Sequence, residues 1–126
     1  MDPYKTPGAI SWNELATTDP EAAGRFYGAL FGWSIKHVDM GTGAYHVASV
    51  GETQVGGIMS LPPDAGPMPP SWGCYVTVLS VEDTLAQCAA LGGKTLVPAM
   101  DVPGVGRMAV LQDPQGAVFS VMAYSA

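Results

Sequence analysis

Apolar positions fall into two similar series on either side of a proline-rich stretch. In the first, residues 10–15 alternate as a half-buried strand does. Thr18-Asp19-Pro20-Glu21 then signals a helix start, with Asp19 as N-cap and Pro20 at the first helical position. Ala23, Phe26, Tyr27, Leu30 and Phe31 recur at helical spacing and predict the buried stripe, and Gly32 supplies the left-handed stop. Three short strands are predicted around 33–38, 44–50 and 54–60, separated by glycine-containing turns.

The second series repeats that order. Residues 74–78 read as a strand, and Ser80-Val81-Glu82-Asp83 as a capping box with Asp in place of Glu or Gln. Leu85, Cys88 and Leu91 predict the buried face of a helix stopped by Gly92-Gly93. Strands follow near 94–98, 107–112 and 117–122, with Asp113-Pro114-Gln115-Gly116 as the last hairpin turn. Between the series, residues 61–71 (LPPDAGPMPPS) carry five prolines and read as a linker. Gly32 and Gly93 lie 61 positions apart, and that shift sets Ala48 on Ala109 and Ile58 on Phe119.

The pattern therefore predicts an α+β fold of two βαβββ modules, residues 8–60 and 72–124, forming one domain over 8–124. Joined edge to edge, they would make a curved mixed sheet of eight strands with helices on the convex face. The concave face would be a small-molecule pocket. The first residues before this domain read as an extended arm.

Composition narrows the partners. At 126 residues, 48% apolar and 13% charged, the chain is long enough to bury a core without staples. A net charge of −6 argues against nucleic acid and anionic membranes as partners. Residues 1–9 have neither the basic start nor the apolar run of a signal peptide, and no stretch reaches the length of a membrane span. Cys74 and Cys88 fit no zinc spacing and read as buried free thiols, which points to the reducing cytoplasm.

WNELATTDPEAAGRFYGALFGW, VGGIMSLP, the proline-rich linker, W-x-x-YVTV, ALGGK and DVPGVGRMAVLQDPQGAVFSV occur in an order that resembles the vicinal oxygen chelate superfamily. That group includes glyoxalase I, extradiol dioxygenases, fosfomycin-resistance and bleomycin-resistance proteins, and the likeness is strongest to its glyoxalase-like branch. The resemblance implies homodimers, with modules paired within a chain or swapped between chains. It also implies a divalent metal held by His, Gln or Glu from the first and last strand of each module. Carried over, those positions fall on Trp12, Gly73, Met59 and Ser120, none of which is a good hard-metal ligand. His37 and His46, nine residues apart in one module, lack the spacing of a shared site. The expectation is no metal and no cofactor.

With the resemblance placing Trp12, Met59 and Ser120 in the pocket, strand alternation adds Glu14, Tyr75, Thr77 and Met122, and Arg107 follows a Gly-Val-Gly turn, a lining suited to an aromatic or heteroaromatic guest. Each residue has a plainer reading. Trp12 is either a stacking platform or a plug where metal would sit. Glu14 is a base or hydrogen-bond anchor, or a partner of Arg107 or of rim water; Arg107 either greets an anion or ends a strand in solvent. His46 is a second candidate base or an ordinary strand histidine, and Met59, Met100, Met108 and Met122 fit core filling. Three functions remain open: a metal-independent small-molecule binder, a lyase- or isomerase-type enzyme using Glu14, His46 or a metal elsewhere, and an accessory module with a vestigial pocket.

Overall fold

The computed structural model describes residues 1–39, 44–61 and 68–125. Most of the predicted linker therefore lies outside the described residues. The elements are β1 (Ile10–Thr17), α1 (Pro20–Phe31), β2 (Ser34–Asp39), β3 (Ala44–Val50), β4 (Thr53–Ser60), β5 (Ser71–Thr77), α2 (Val81–Ala90), β6 (Lys94–Val102), β7 (Gly106–Gln112) and β8 (Val118–Tyr124). A 3₁₀ turn, Pro3–Lys5, precedes them. The fold is α+β: two βαβββ modules whose strands follow the hydrogen-bonding order β2-β3-β4-β1-β5-β8-β7-β6. Contacts group the chain into Asn13–Gly73, and Met1–Trp12 with Cys74–Ala126.

Local chemistry explains the helix ends. Asp19 accepts from the Ala22 N–H at 3.1 Å, Pro20 opens α1, and Gly32 at φ +73° donates its N–H to Gly28 O at 2.9 Å. Ser80 accepts from the Asp83 N–H at 3.2 Å to start α2. Its end is tied by Gly93 N–H to Cys88 O at 2.8 Å, with Gly92 at φ +94°.

In each module β1 or β5 pairs in parallel with β4 or β8, and the remaining strands pair antiparallel. The helix covers one face. In the second module Val81 of α2 packs with Ala109, Leu111 and Val121, all 2% exposed or less. Burying each valine or leucine side chain stabilises by about 1.5–3 kcal/mol. The corresponding core of the first module comprises Leu15, Ala48 and Ile58.

Three expectations are corrected. The stripe Phe26, Leu30 and Phe31 is 57–59% exposed, because α1 turns its glycines to the sheet. A Cβ on Gly24 would stand 3.2 Å from Ile35 Cγ2, so a larger residue there would require the Ile35 side chain to give by a few tenths of an ångström. Leu91 is likewise 78% exposed, lying at the cap rather than on the α2 seam. Pro98 does not end β6, which runs on to Val102. β6 is the last strand in the sheet order, and register shifts flank Pro98, so its missing N–H breaks no ladder.

Candidate functional site

The register fixes which side chains share a face. In the first module Glu14 is paired with Gly57 and Ala16 with Met59, while Tyr45 lies opposite Met59 and Val47 opposite Gly57. These residues form the face away from α1. There, Tyr45 Oη donates to Glu14 Oε2 at 2.6 Å, a distance typical of a charge-assisted hydrogen bond to a carboxylate. Gly57 makes that contact possible: a Cβ at this position would collide with the Tyr45 hydroxyl and ring. The result is one polar pair among Ala16, Val47 and Met59, all half-buried. Tyr45, absent from the predicted set, is a group that holds Glu14. Its tyrosine two residues from the strand centre gave no signal without the pairing.

Leu15 and His46 are both paired with Ile58, so they face α1 instead. Glu14 and His46, the two candidate bases, therefore sit on opposite faces of the same module and cannot serve one reaction centre.

In the second module Tyr75 is paired with Ser120, and Thr77 with Met122. Ser120 lies opposite Val110 and Met122 opposite Met108, so these residues share the face away from α2. Much of it is already covered: Tyr75, Thr77 and Met122 are only 4–6% exposed. Thr77 Oγ1 donates to Pro3 O at 2.6 Å, and the Tyr4 ring meets Tyr124 edge-on at 5.0 Å. The Ser11 and Tyr124 hydroxyls are 2.7 Å apart, and Tyr75 Oη reaches Met108 Sδ at 3.9 Å. The N-terminal segment, expected to be an ordinary extended arm, is a pinned 3₁₀ turn.

Arg107 does not belong to this face. It alternates with Met108 toward α2, bonding Glu82 Oε2 at 2.8 Å and Asp101 Oδ1 at 3.0 Å. Its partners are these carboxylates rather than Glu14. The hydrogen bond from Arg107 holds Glu82 below the usual glutamate range, and the two carboxylates raise Arg107. Trp12 is half-buried. Cys74 and Cys88 are free and half-buried rather than buried.

The implied metal site fails on donor chemistry. The predicted correspondence of Met59 with Ser120 shifts, because Glu14–Gly57 in one module matches Tyr75–Ser120 in the other. Met59 then corresponds to Met122, and Gly57 to Ser120. The last-strand pair is then either Met59 with Met122 or Gly57 with Ser120, and neither pair, beside Trp12 and Gly73, suits a hard divalent ion. Among the described residues no three His, Cys, Asp or Glu side chains group to hold a metal.

The architecture defines a paired-module domain of the vicinal oxygen chelate type. The glyoxalase-like domain family matches residues 12–122, and the chain belongs to that family. It is 42% identical over 116 residues to "Putative glyoxylase CFP32" of Mycobacterium tuberculosis, covering 91% of this chain and 44% of that protein. It is 35% identical over 128 residues to the anthracycline biosynthesis protein DnrV of Streptomyces peucetius, covering 91% and 46%. The chain thus spans less than half the length of these relatives. The fold is similar to hypothetical protein BH1468 of Bacillus halodurans, with TM-score 0.67, 11% identity, and 93% and 94% of the two chains covered. It is also similar to methylmalonyl-CoA epimerase of Mycobacterium tuberculosis, with TM-score 0.63, 13% identity and coverage of 93% and 88%. Among the described residues no helix is long and apolar enough to cross a membrane.

Proposed function

We propose that this chain is a metal-independent binding domain for a small aromatic or heteroaromatic molecule. The observation that carries the reading is the Glu14–Tyr45 pair at 2.6 Å, a preset polar anchor on an otherwise apolar face. Small-molecule sites combine such a face with few, well-placed polar groups. A guest carrying an N–H or O–H donor would place it on the Glu14 carboxylate and lay its ring against Met59. Self-association belongs to the same reading, since Phe26, Leu30 and Phe31 supply exposed apolar surface on α1.

The same hydrogen bond favours one other reading, a metal-free enzyme in which Tyr45 orients Glu14 as base. Titration with 9-aminoacridine, an aromatic amine, separates the two when run beside a panel of CoA esters and α-oxo aldehydes assayed for turnover. Saturable quenching of protein fluorescence that Glu14→Gln abolishes, without turnover of any panel member, supports the binder. Turnover lost in Glu14→Gln with an unchanged melting temperature moves the protein to the enzyme reading.

A further inference from the structure

His37 and His46 are remote from the Glu14 face and have no part in the function proposed above. They are direct cross-strand partners of β2 and β3, with ring centroids 5.1 Å apart and an interplanar angle of 67°. Side chains at directly opposed positions of an antiparallel pair lie close on one face, so the register delivers both imidazoles to one place. His46 is 6% exposed, and its Nδ1 is buried without a hydrogen-bond partner. Leaving such a buried atom unsatisfied is costly, so a ligand that engages it would be favoured. His37, by contrast, is exposed on the terminal strand of the sheet order.

Both rings line a cleft of about 460 Å³ between α1 and these strands, together with Glu21, Arg25 and Ile35. Two imidazoles bound through nitrogens about 2.0–2.1 Å from one tetrahedral ion have centroids about 5 Å apart. The observed separation already meets that requirement.

We propose that His37 and His46 form a two-histidine site for a borderline divalent transition-metal ion such as zinc, nickel or copper(II). Neutral imidazole suits these ions and disfavours magnesium and calcium. Two protein ligands leave the remaining coordination positions to water, and the Glu21 carboxylate in the same cleft offsets the charge that Arg25 adds there. The site is on the helix-covered face, so it is separate from the degenerate positions on the opposite face.

The test is isothermal titration of untagged protein with zinc, nickel and magnesium chlorides, with copper(II) electron paramagnetic resonance as a structural readout. One zinc or nickel per chain, no magnesium, and copper hyperfine structure from two imidazole nitrogens are expected. His37→Ala is the informative variant because its exposed side chain can be removed without opening the core. Loss of an outer-shell partner alone costs about tenfold or more in metal affinity, so removing a ligand should weaken binding by at least that factor. The apo melting temperature of this variant should match the parent. No zinc or nickel binding at millimolar ion, or equal affinity in the parent and in His37→Ala, overturns the proposal.

Discussion

Tyr45 reaches across β4 to Glu14 through the gap left by Gly57, its hydroxyl 2.6 Å from Glu14 Oε2. Tyr45 is not the residue opposite Gly57; Val47 is. The ring therefore leans along the sheet over the glycine, and three strands contribute to a contact that no single strand specifies.

This arrangement makes Gly57→Ala a sharp probe. The added methyl meets the Tyr45 ring as well as its hydroxyl, so the ring must leave and the hydrogen bond with it. Overpacking of this kind costs about 1–3 kcal/mol. In a Tyr45→Ala background the same substitution should cost far less, a non-additivity measurable by urea denaturation of the four-member cycle. Additive effects would show that the ring does not occupy the space over Gly57.

The N-terminal turn is fastened by few contacts, and Thr77 supplies a principal one. Thr77→Val removes the donor to Pro3 O while keeping the side chain's shape. A loss of about 0.5–1.5 kcal/mol is expected. Trypsin should then cut after Lys5, in the turn itself, faster than in the parent. An unchanged cleavage rate would mean that the Tyr4–Tyr124 contact and the backbone hydrogen bonds joining Gly8 and Ala9 to Thr77 hold the segment without it.

Acid should weaken the α2–β7 ion pair. Arg107 lowers the Glu82 pKa, so the pair's stabilisation is present above the unfolded glutamate value and lost as pH falls through the depressed folded value. The raised Arg107 value acts in the opposite sense, being lost only as pH rises through it, far above the neutral range. Both side chains face solvent, so the effect should be small and should fade in high salt. Denaturation midpoints of the parent and Glu82→Gln, compared from neutral pH to below the glutamate range, should converge at the acid end. A constant gap across that range would count against the pair.

Much of the secondary structure was legible because its determinants are local. Asp19, Pro20, Gly32 and Ser80 act within a turn of the backbone they cap, and the strands alternate as their half-buried environment requires. Helix orientation was less legible. Phe26, Leu30 and Phe31 have the spacing of a buried stripe, yet Gly24 and Gly28 allow α1 to approach Ile35 on the glycine side. A hydrophobic pattern reports which residues can be buried; the packing partner decides which are. Pro98 misled in the same way, since its cost depends on whether a neighbouring strand needs its N–H.

The candidate site divides along the same line. That the metal-ligand positions inferred from the family hold tryptophan, glycine, methionine and serine is a matter of residue chemistry, readable without coordinates. That Glu14 shares the face of Trp12 follows from strand alternation, while the choice of that face as the binding face came from the family resemblance. Strand register decided the rest: it set Tyr45 on Glu14, sent Arg107 to Glu82 and Asp101, and joined His37 to His46. The reason is physical. Caps, turns and alternation depend on neighbours a few residues away, so the chain carries them in its order; register depends on which strands pair and by how many residues they slip, and only the assembled sheet determines that.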